Sequence, residues 1–161
     1  MYIVTEVFDD GSALIYDIGT YKETLFTESE ILRLCRKHSI FGVTVYDNKI
    51  QHIASYNILQ FPSEVEAYEY TGNTSDVLFI QGIYWHFEPK NRVIHVGYYV
   101  MHYTEVETVF IGDRGYCGYI EDAKEFSRED AYVKCGSLNS NHAKKFNVPK
   151  SNYWTVYRKV G

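Results

Sequence analysis

Apolar and polar positions alternate through most of this chain, and short turn signals cut the alternation into pieces. The longest such region, residues 77–120, reads VLFIQGIYWHFEPKNRVIHVGYYVMHYTEVETVFIGDRGYCGYI. Its apolar, aromatic runs are separated by Glu88-Pro89-Lys90-Asn91, Thr104-Glu105-Val106-Glu107 and Gly112-Asp113-Arg114-Gly115. Val, Ile, Tyr, Phe and Trp fit a pleated, half-buried surface, whereas Pro, Gly, Asn and Asp interrupt it. The pattern predicts an antiparallel meander that builds the main sheet, with strand 83–87 pairing with 92–103 across the Pro89 turn.

Before the meander, Tyr2–Phe8 alternates and ends at Asp9-Asp10-Gly11, a hairpin signal, and Ser12–Ile18 returns. Gly19-Thr20 turns the chain again into a short strand over Tyr21–Phe26. Thr27-Glu28-Ser29-Glu30 is a capping box, because the Thr27 hydroxyl can accept from the Glu30 backbone N–H. The helix it opens runs to about His38, with Ile31, Leu32, Leu34 and Cys35 inward and Arg33, Arg36, Lys37 and His38 at its negative end. Phe41–Tyr46, Asp47-Asn48 and Lys49–Ser55 form a second hairpin. In Tyr56–Asn73, Ser63 after Pro62 could cap a short helix, yet Val65, Ala67 and Glu69 also alternate as a strand would. The Tyr and Val content favours the strand. Thr71-Gly72-Asn73-Thr74-Ser75 is a loop. Beyond the meander, Ser127 with Asp130 caps a helix over Arg128–Cys135, and Gly136 marks its stop. Leu138–Asn152 is polar and irregular, with a short turn around His142–Phe146, and Tyr153–Val160 closes as a strand.

The predicted fold is therefore α+β: predominantly antiparallel β-sheet with two short helices. It divides into a hairpin–helix–hairpin lobe over 1–73 and a meander with a helix and closing strand over 74–161, or forms one compact domain. The chain has 161 residues, 45% of them hydrophobic, which supports a real core and excludes disorder. Sixteen of its aromatic residues are Tyr. Tyr keeps a wet hydroxyl on a large ring, which suits half-exposed sheet faces and interface cores alike. The opening MYIVTEVFDDG has neither a basic n-region nor an apolar h-region, and no apolar run approaches a membrane span. Cys35, Cys117 and Cys135 are odd in number and widely spaced, so reduced thiols in a cytosolic protein are expected.

Charge changes the picture most. Residues 1–80 carry net −7 and residues 81–161 net +2. No Lys or Arg occurs between Lys49 and Lys90, while Glu64, Glu66, Glu69, Asp76 and Glu88 all do. Phosphate binding needs cations, so this region disfavours nucleic acid and favours a basic partner. The basic tail, with Lys144, Lys145, Lys150, Arg158 and Lys159, is spread out and lacks an aromatic platform for single strands, and reads as a solvated face.

Both ends of the chain carry a resemblance. Ala123-Lys124-Glu125-Phe126-Ser127 with Ala131, then Trp154-Thr155-Val156 after a polar loop, resembles the end of many small accessory proteins of bacteriophages and mobile elements. The opening MYIVTEVFDDGSALIYD, a capped helix and GVTVYDNKI are similar to the same group. The resemblance gives Phe126, Ala131 and Trp154 structural roles and brings no catalytic residue with it. It implies a counter-defence protein, the anti-CRISPR proteins being one such class.

The residues with chemistry are His38, His52, His86, His95, His102, His142 and Cys117. If strand 83–87 pairs with 92–103, His86 approaches His95, and such histidines could bind a metal or move protons. Against this, no Asp or Glu stands beside them inside a strand, and supporting carboxylates usually do. His102-Tyr103-Thr104 has the H-x-T form of two-histidine phosphoesterases, but a second copy is lacking. Cys117, in a glycine-rich turn, has no nucleophile signature around it. P-loop, Rossmann and H-E-x-x-H patterns are absent from the sequence.

The expected function is a non-enzymatic inhibitor in the cytoplasm of a host bacterium, without metal or cofactor. It would bind a basic, nucleic-acid-handling effector such as a CRISPR-Cas nuclease. The expected contact residues are Glu64, Glu66, Tyr68, Glu69, Tyr70 and Asp76. The competing expectation is a small histidine-dependent enzyme or ligand-binding domain, phosphoesterase-like in character.

Overall fold

The computed structural model describes residues 1–104, 106–146 and 154–161, with the side chains of 142–146 excepted. The chain forms two units, Met1–Ile94 and His95–Gly161. The fold is α+β with several antiparallel sheets, and strand outweighs helix at 47% against 24%. Among the described residues three α-helices are present where two were expected.

In the first unit, β1 (Tyr2–Val7), β2 (Ala13–Asp17), β3 (Lys22–Phe26) and β4 (Ile40–Phe41) make one sheet in the order β3-β2-β1-β4. The hairpin pairs are antiparallel and β4 joins β1 in parallel. Helix α1 (Glu28–Cys35) starts at Thr27, whose hydroxyl accepts from the Glu30 backbone N–H as the capping box requires. Its Ile31 is fully buried in a core with Val4, Val7, Ala13, Ile15 and Ile40, and Leu34 and Cys35 pack on the margin. Strands β5 (Val43–Tyr46) and β6 (Lys49–Ile53) form the expected second hairpin.

Strand β7 (Tyr56–Phe61) is followed by α2 (Glu64–Thr71), a 3-10 turn at Thr74–Asp76, β8 (Leu78–Ile80) and β9 (Ile83–Pro89). Residues 64–71 are thus helical, and the expected strand there is corrected. The segment is capped at both ends. The Ser63 side chain accepts from the Glu66 N–H, and Gly72 ends the helix in the left-handed region at φ 66°. In so short a segment two satisfied caps outweigh the β preference of Tyr and Val.

A second correction concerns the meander. Strand β9 pairs with β7 and β8, in the order β7-β9-β8, and not with residues 92–103. After Pro89 the chain does not turn back on itself. Asn91 takes φ 53°, and Ile94 hydrogen bonds with Val7 and Asp9, beside the end of β1. The expected boundary at 71–75 accordingly falls inside the first unit.

The second unit holds β10 (Val96–Tyr103), β11 (Thr108–Gly112), β12 (Gly115–Cys117), a 3-10 turn at Ile120–Asp122, α3 (Arg128–Phe146) and β13 (Thr155–Val160). Its sheet runs β12-β11-β10-β13, antiparallel throughout. Helix α3 starts as expected, with Ser127 accepting from the Asp130 N–H, and buries Ala131 and Cys135. It does not stop at Gly136. That glycine faces open space within the helix, and an exposed glycine costs about 1 kcal/mol there, too little to end it. The stretch 138–146 is therefore helical and not irregular, while 147–153 lies outside the described residues. Asn139 on α3 hydrogen bonds the Trp154 backbone through both its amide nitrogen and its oxygen, fixing the helix to the last strand.

Candidate functional site

The acidic stretch folds as helix α2 lying on one face of the β7-β9-β8 sheet. Strand alternation puts Tyr84, His86 and Glu88 of β9 on that face, with Phe61 of β7 and Phe79 of β8 beside Tyr84 in register. Ala67 is the one fully buried residue of the helix. Helical rotation sets Tyr68 and Tyr70 on opposite flanks of it. The Tyr70 ring lies 5.4 Å from Phe61 and 6.1 Å from His86. Interaction of its hydroxyl with the Glu88 carboxylate, helped by desolvation, raises the phenol pKa. Interaction of the Tyr68 hydroxyl with the Glu64 carboxylate raises its pKa, with smaller contributions from desolvation, the Glu64 charge and Tyr84.

All four expected carboxylates, Glu64, Glu66, Glu69 and Asp76, are exposed. Among the described residues none forms an ion pair with a Lys or Arg. Glu64 and Glu66 lie in the first turn of α2, where the helix dipole favours them; Glu69 lies in the last, where it does not. Strand β1 of the same unit shows the opposite arrangement. Glu6 meets Lys90 at 2.7 Å and also Arg92, and only 14% of the Glu6 and Lys90 side chains is exposed. Burial pushes the Glu6 carboxyl up, but hydrogen bonds from Arg92 and Lys90 outweigh it and hold the group below its ordinary value.

Two carboxylates that sequence reasoning missed stand beside histidines. His86 Nδ1 donates to the Asp76 backbone carbonyl at 2.8 Å, and its Nε2 lies 3.7 Å from Glu88. Glu88 belongs to β9 and not to the following turn, so the argument that the strand histidines lack carboxylates is corrected. His-x-Glu within a strand was the signal for it. His95 in the second unit pairs with Glu125, thirty residues away, which no local pattern announces. His86 belongs to the first unit and His95 and His102 to the second, so the pairing expected to bring His86 to His95 does not form. The His102 ring packs 5.2 Å from Trp154, which stacks in turn on Tyr116. His86, with one nitrogen on a carbonyl and the other facing Glu88, serves as a fastening between β9 and the turn after α2.

Cys117 donates weakly to the carbonyls of Phe110 and Tyr119, beside a hollow of about 320 Å³ that has no histidine in its lining. All three cysteines are free, and burial pushes the Cys35 and Cys135 thiols up. Among the described residues no group of three or more His, Cys, Asp and Glu could hold a metal ion, and no helix is long and apolar enough to cross a membrane.

No family model, curated protein or solved structure matches this chain.

Proposed function

We propose that the chain is a non-enzymatic docking protein of the phage counter-defence kind. In the cytoplasm of a host bacterium it presents α2 and the turn after it to the cationic groove of a nucleic-acid-handling effector, a CRISPR-Cas nuclease being the example to test first. One observation carries the reading: Glu64, Glu66, Glu69 and Asp76 stay exposed and unneutralised, while Glu6 of the same unit is fully matched by Lys90 and Arg92. Exposed carboxylates on a helix can stand where phosphates would, steer encounter and fix orientation. Tyr68 adds contact area, as does Tyr70, whose ring already packs against Phe61 and His86.

The test is inhibition of nuclease cleavage across a panel of purified CRISPR-Cas effectors, as a function of salt. Inhibition that weakens with salt, and disappears when Glu64, Glu66 and Glu69 are all replaced by Lys, supports the reading. Inhibition that survives the triple replacement in a folded protein moves the docking surface elsewhere, and no inhibition of any effector removes this target class.

The competing reading is a small histidine-dependent enzyme. It draws on the His95–Glu125 pair, because Glu125 borders a hollow of about 400 Å³ that Lys124 and Lys134 also line. Phosphate-ester turnover that is lost in His95→Ala and kept in the triple Lys variant would select it.

A further inference from the structure

The exposed Phe79 and the half-buried Tyr84 form an aromatic pair on the sheet that carries the acidic helix. They are directly opposite in the β8–β9 register, and their ring centroids lie 4.7 Å apart at 32°. Strand β8 is the edge of its sheet, and Phe79 is 63% exposed. Helix α2, whose Glu64, Glu66 and Glu69 are exposed, packs on β9, the strand that carries Tyr84.

An aromatic face carries a negative quadrupole, so it attracts a cation, and a carboxylate beside it strengthens that attraction. Among the described residues no cation fills the place. None occurs between Lys49 and Lys90, and Lys90 and Arg92 are engaged with Glu6. The cation–ring contacts among the described residues are Lys124 over Phe126 and Arg128 over Tyr132, both in the second unit. Charge complementarity therefore calls for a cation brought by the partner. Guanidinium fits better than ammonium, because it is planar, stacks on a ring and can fork onto a carboxylate at its edge.

We propose that Phe79 and Tyr84, beside the acidic helix α2, seat an arginine side chain of the protein that docks on it. This rests on the docking reading and names the chemistry of its anchor residue.

Two synthetic peptides of equal length and charge, one with six arginines and one with six lysines spaced by glycine, are titrated into the full chain by calorimetry. The arginine peptide is expected to bind about tenfold tighter, the scale of a desolvated cation–ring contact. Phe79→Leu and Tyr84→Leu keep apolar volume and remove a ring; each should bring the two peptides to within about twofold of one another. Tyr84→Phe keeps the ring and should keep the preference, which separates lost stacking from a disturbed fold. Equal affinity for the two peptides in the unaltered protein, or a preference that survives both Leu variants, overturns the proposal. If both peptides bind equally and lose affinity when Glu64, Glu66 and Glu69 become Lys, the arginine seat falls while the docking reading stands. If neither binds, both fall.

Discussion

Helices α1 and α2 are each eight residues long, each start at a hydroxyl cap, and each carry two glutamates in the first turn. They differ in what their remaining residues do. Helix α1 sends Ile31 into the core, rests Leu34 and Cys35 on it, and ends in Arg33 and Arg36, so every part of it adds stability. Helix α2 buries only Ala67, ends in Glu69 with no basic residue, and turns its other side chains outward. Its place depends on its two caps and on Tyr70 against Phe61 and Glu88. Identical local signals thus start a helix that holds the unit together and a helix that displays charge. What separates them is the number of apolar side chains at helical spacing.

Truncating the buried face should open the widest gap between the two. Ile31→Ala should lose roughly 3–4 kcal/mol, since a fully buried aliphatic side chain leaves a cavity. Ala67→Gly, at the corresponding contact of α2, should lose only about 1 kcal/mol. Urea unfolding of both variants measures the pair; equal losses would mean that α2 contributes as much core as α1.

Next in size is the matched carboxylate. Glu6→Gln removes the counter-charge of Lys90, whose side chain is only 14% exposed and keeps just the Thr5 carbonyl as acceptor, and should cost about 2 kcal/mol. Glu6 is held below its ordinary pKa in the folded state, so it releases its proton more readily there than in the unfolded chain. Its contribution is therefore complete above the ordinary carboxylate range and is lost as pH falls through the lowered folded value. Thermal unfolding followed from neutral pH downward should show a steeper loss for the unaltered protein than for Glu6→Gln. Parallel curves would contradict the pairing.

The caps should behave alike. Thr27→Ala and Ser63→Ala should each cost about 1 kcal/mol. Because α2 has little else to hold it, Ser63→Ala should also speed backbone amide exchange across 64–71 far more than across the rest of the unit, read by hydrogen exchange. The smallest effect has the opposite sign. Glu69→Lys places a cation at the end of α2 that favours one, and should stabilise by a few tenths of a kcal/mol. A destabilised Glu69→Lys would show that the carboxylate has a structural partner.

Local chemistry was legible in the residues. The Asp9-Asp10-Gly11 hairpin, the Thr27 and Ser127 caps and the antiparallel character of β10 to β12 all follow from neighbours in sequence. The exposure of Glu64, Glu66 and Glu69 follows from their charge as well. For the candidate site the decisive uncertainty was periodicity. As a strand, 65–70 would set Glu66, Tyr68 and Tyr70 on one face. As a helix it parts the two tyrosines around Ala67 and gives each a different carboxylate. Two signals were present and underweighted: Ser63 with Gly72 as paired caps, and the same-face spacing of His86 and Glu88.

By itself, the sequence determined the element types wherever a cap or a turn residue acts within a few positions, and it determined the uneven charge. Tertiary structure alone decided the partners. A strand alternates identically whichever neighbour it joins, so nothing within 83–89 says that β9 pairs with β7 and β8 and not with β10. Closing a longer loop costs only slightly more than closing a shorter one, so nearness in sequence does not choose either. The same holds for Glu6 with Lys90, 84 residues apart, and for His95 with Glu125. These contacts exist because folding brings distant side chains into reach, and a carboxylate in the sequence carries no mark of which cation, or which partner protein, will meet it.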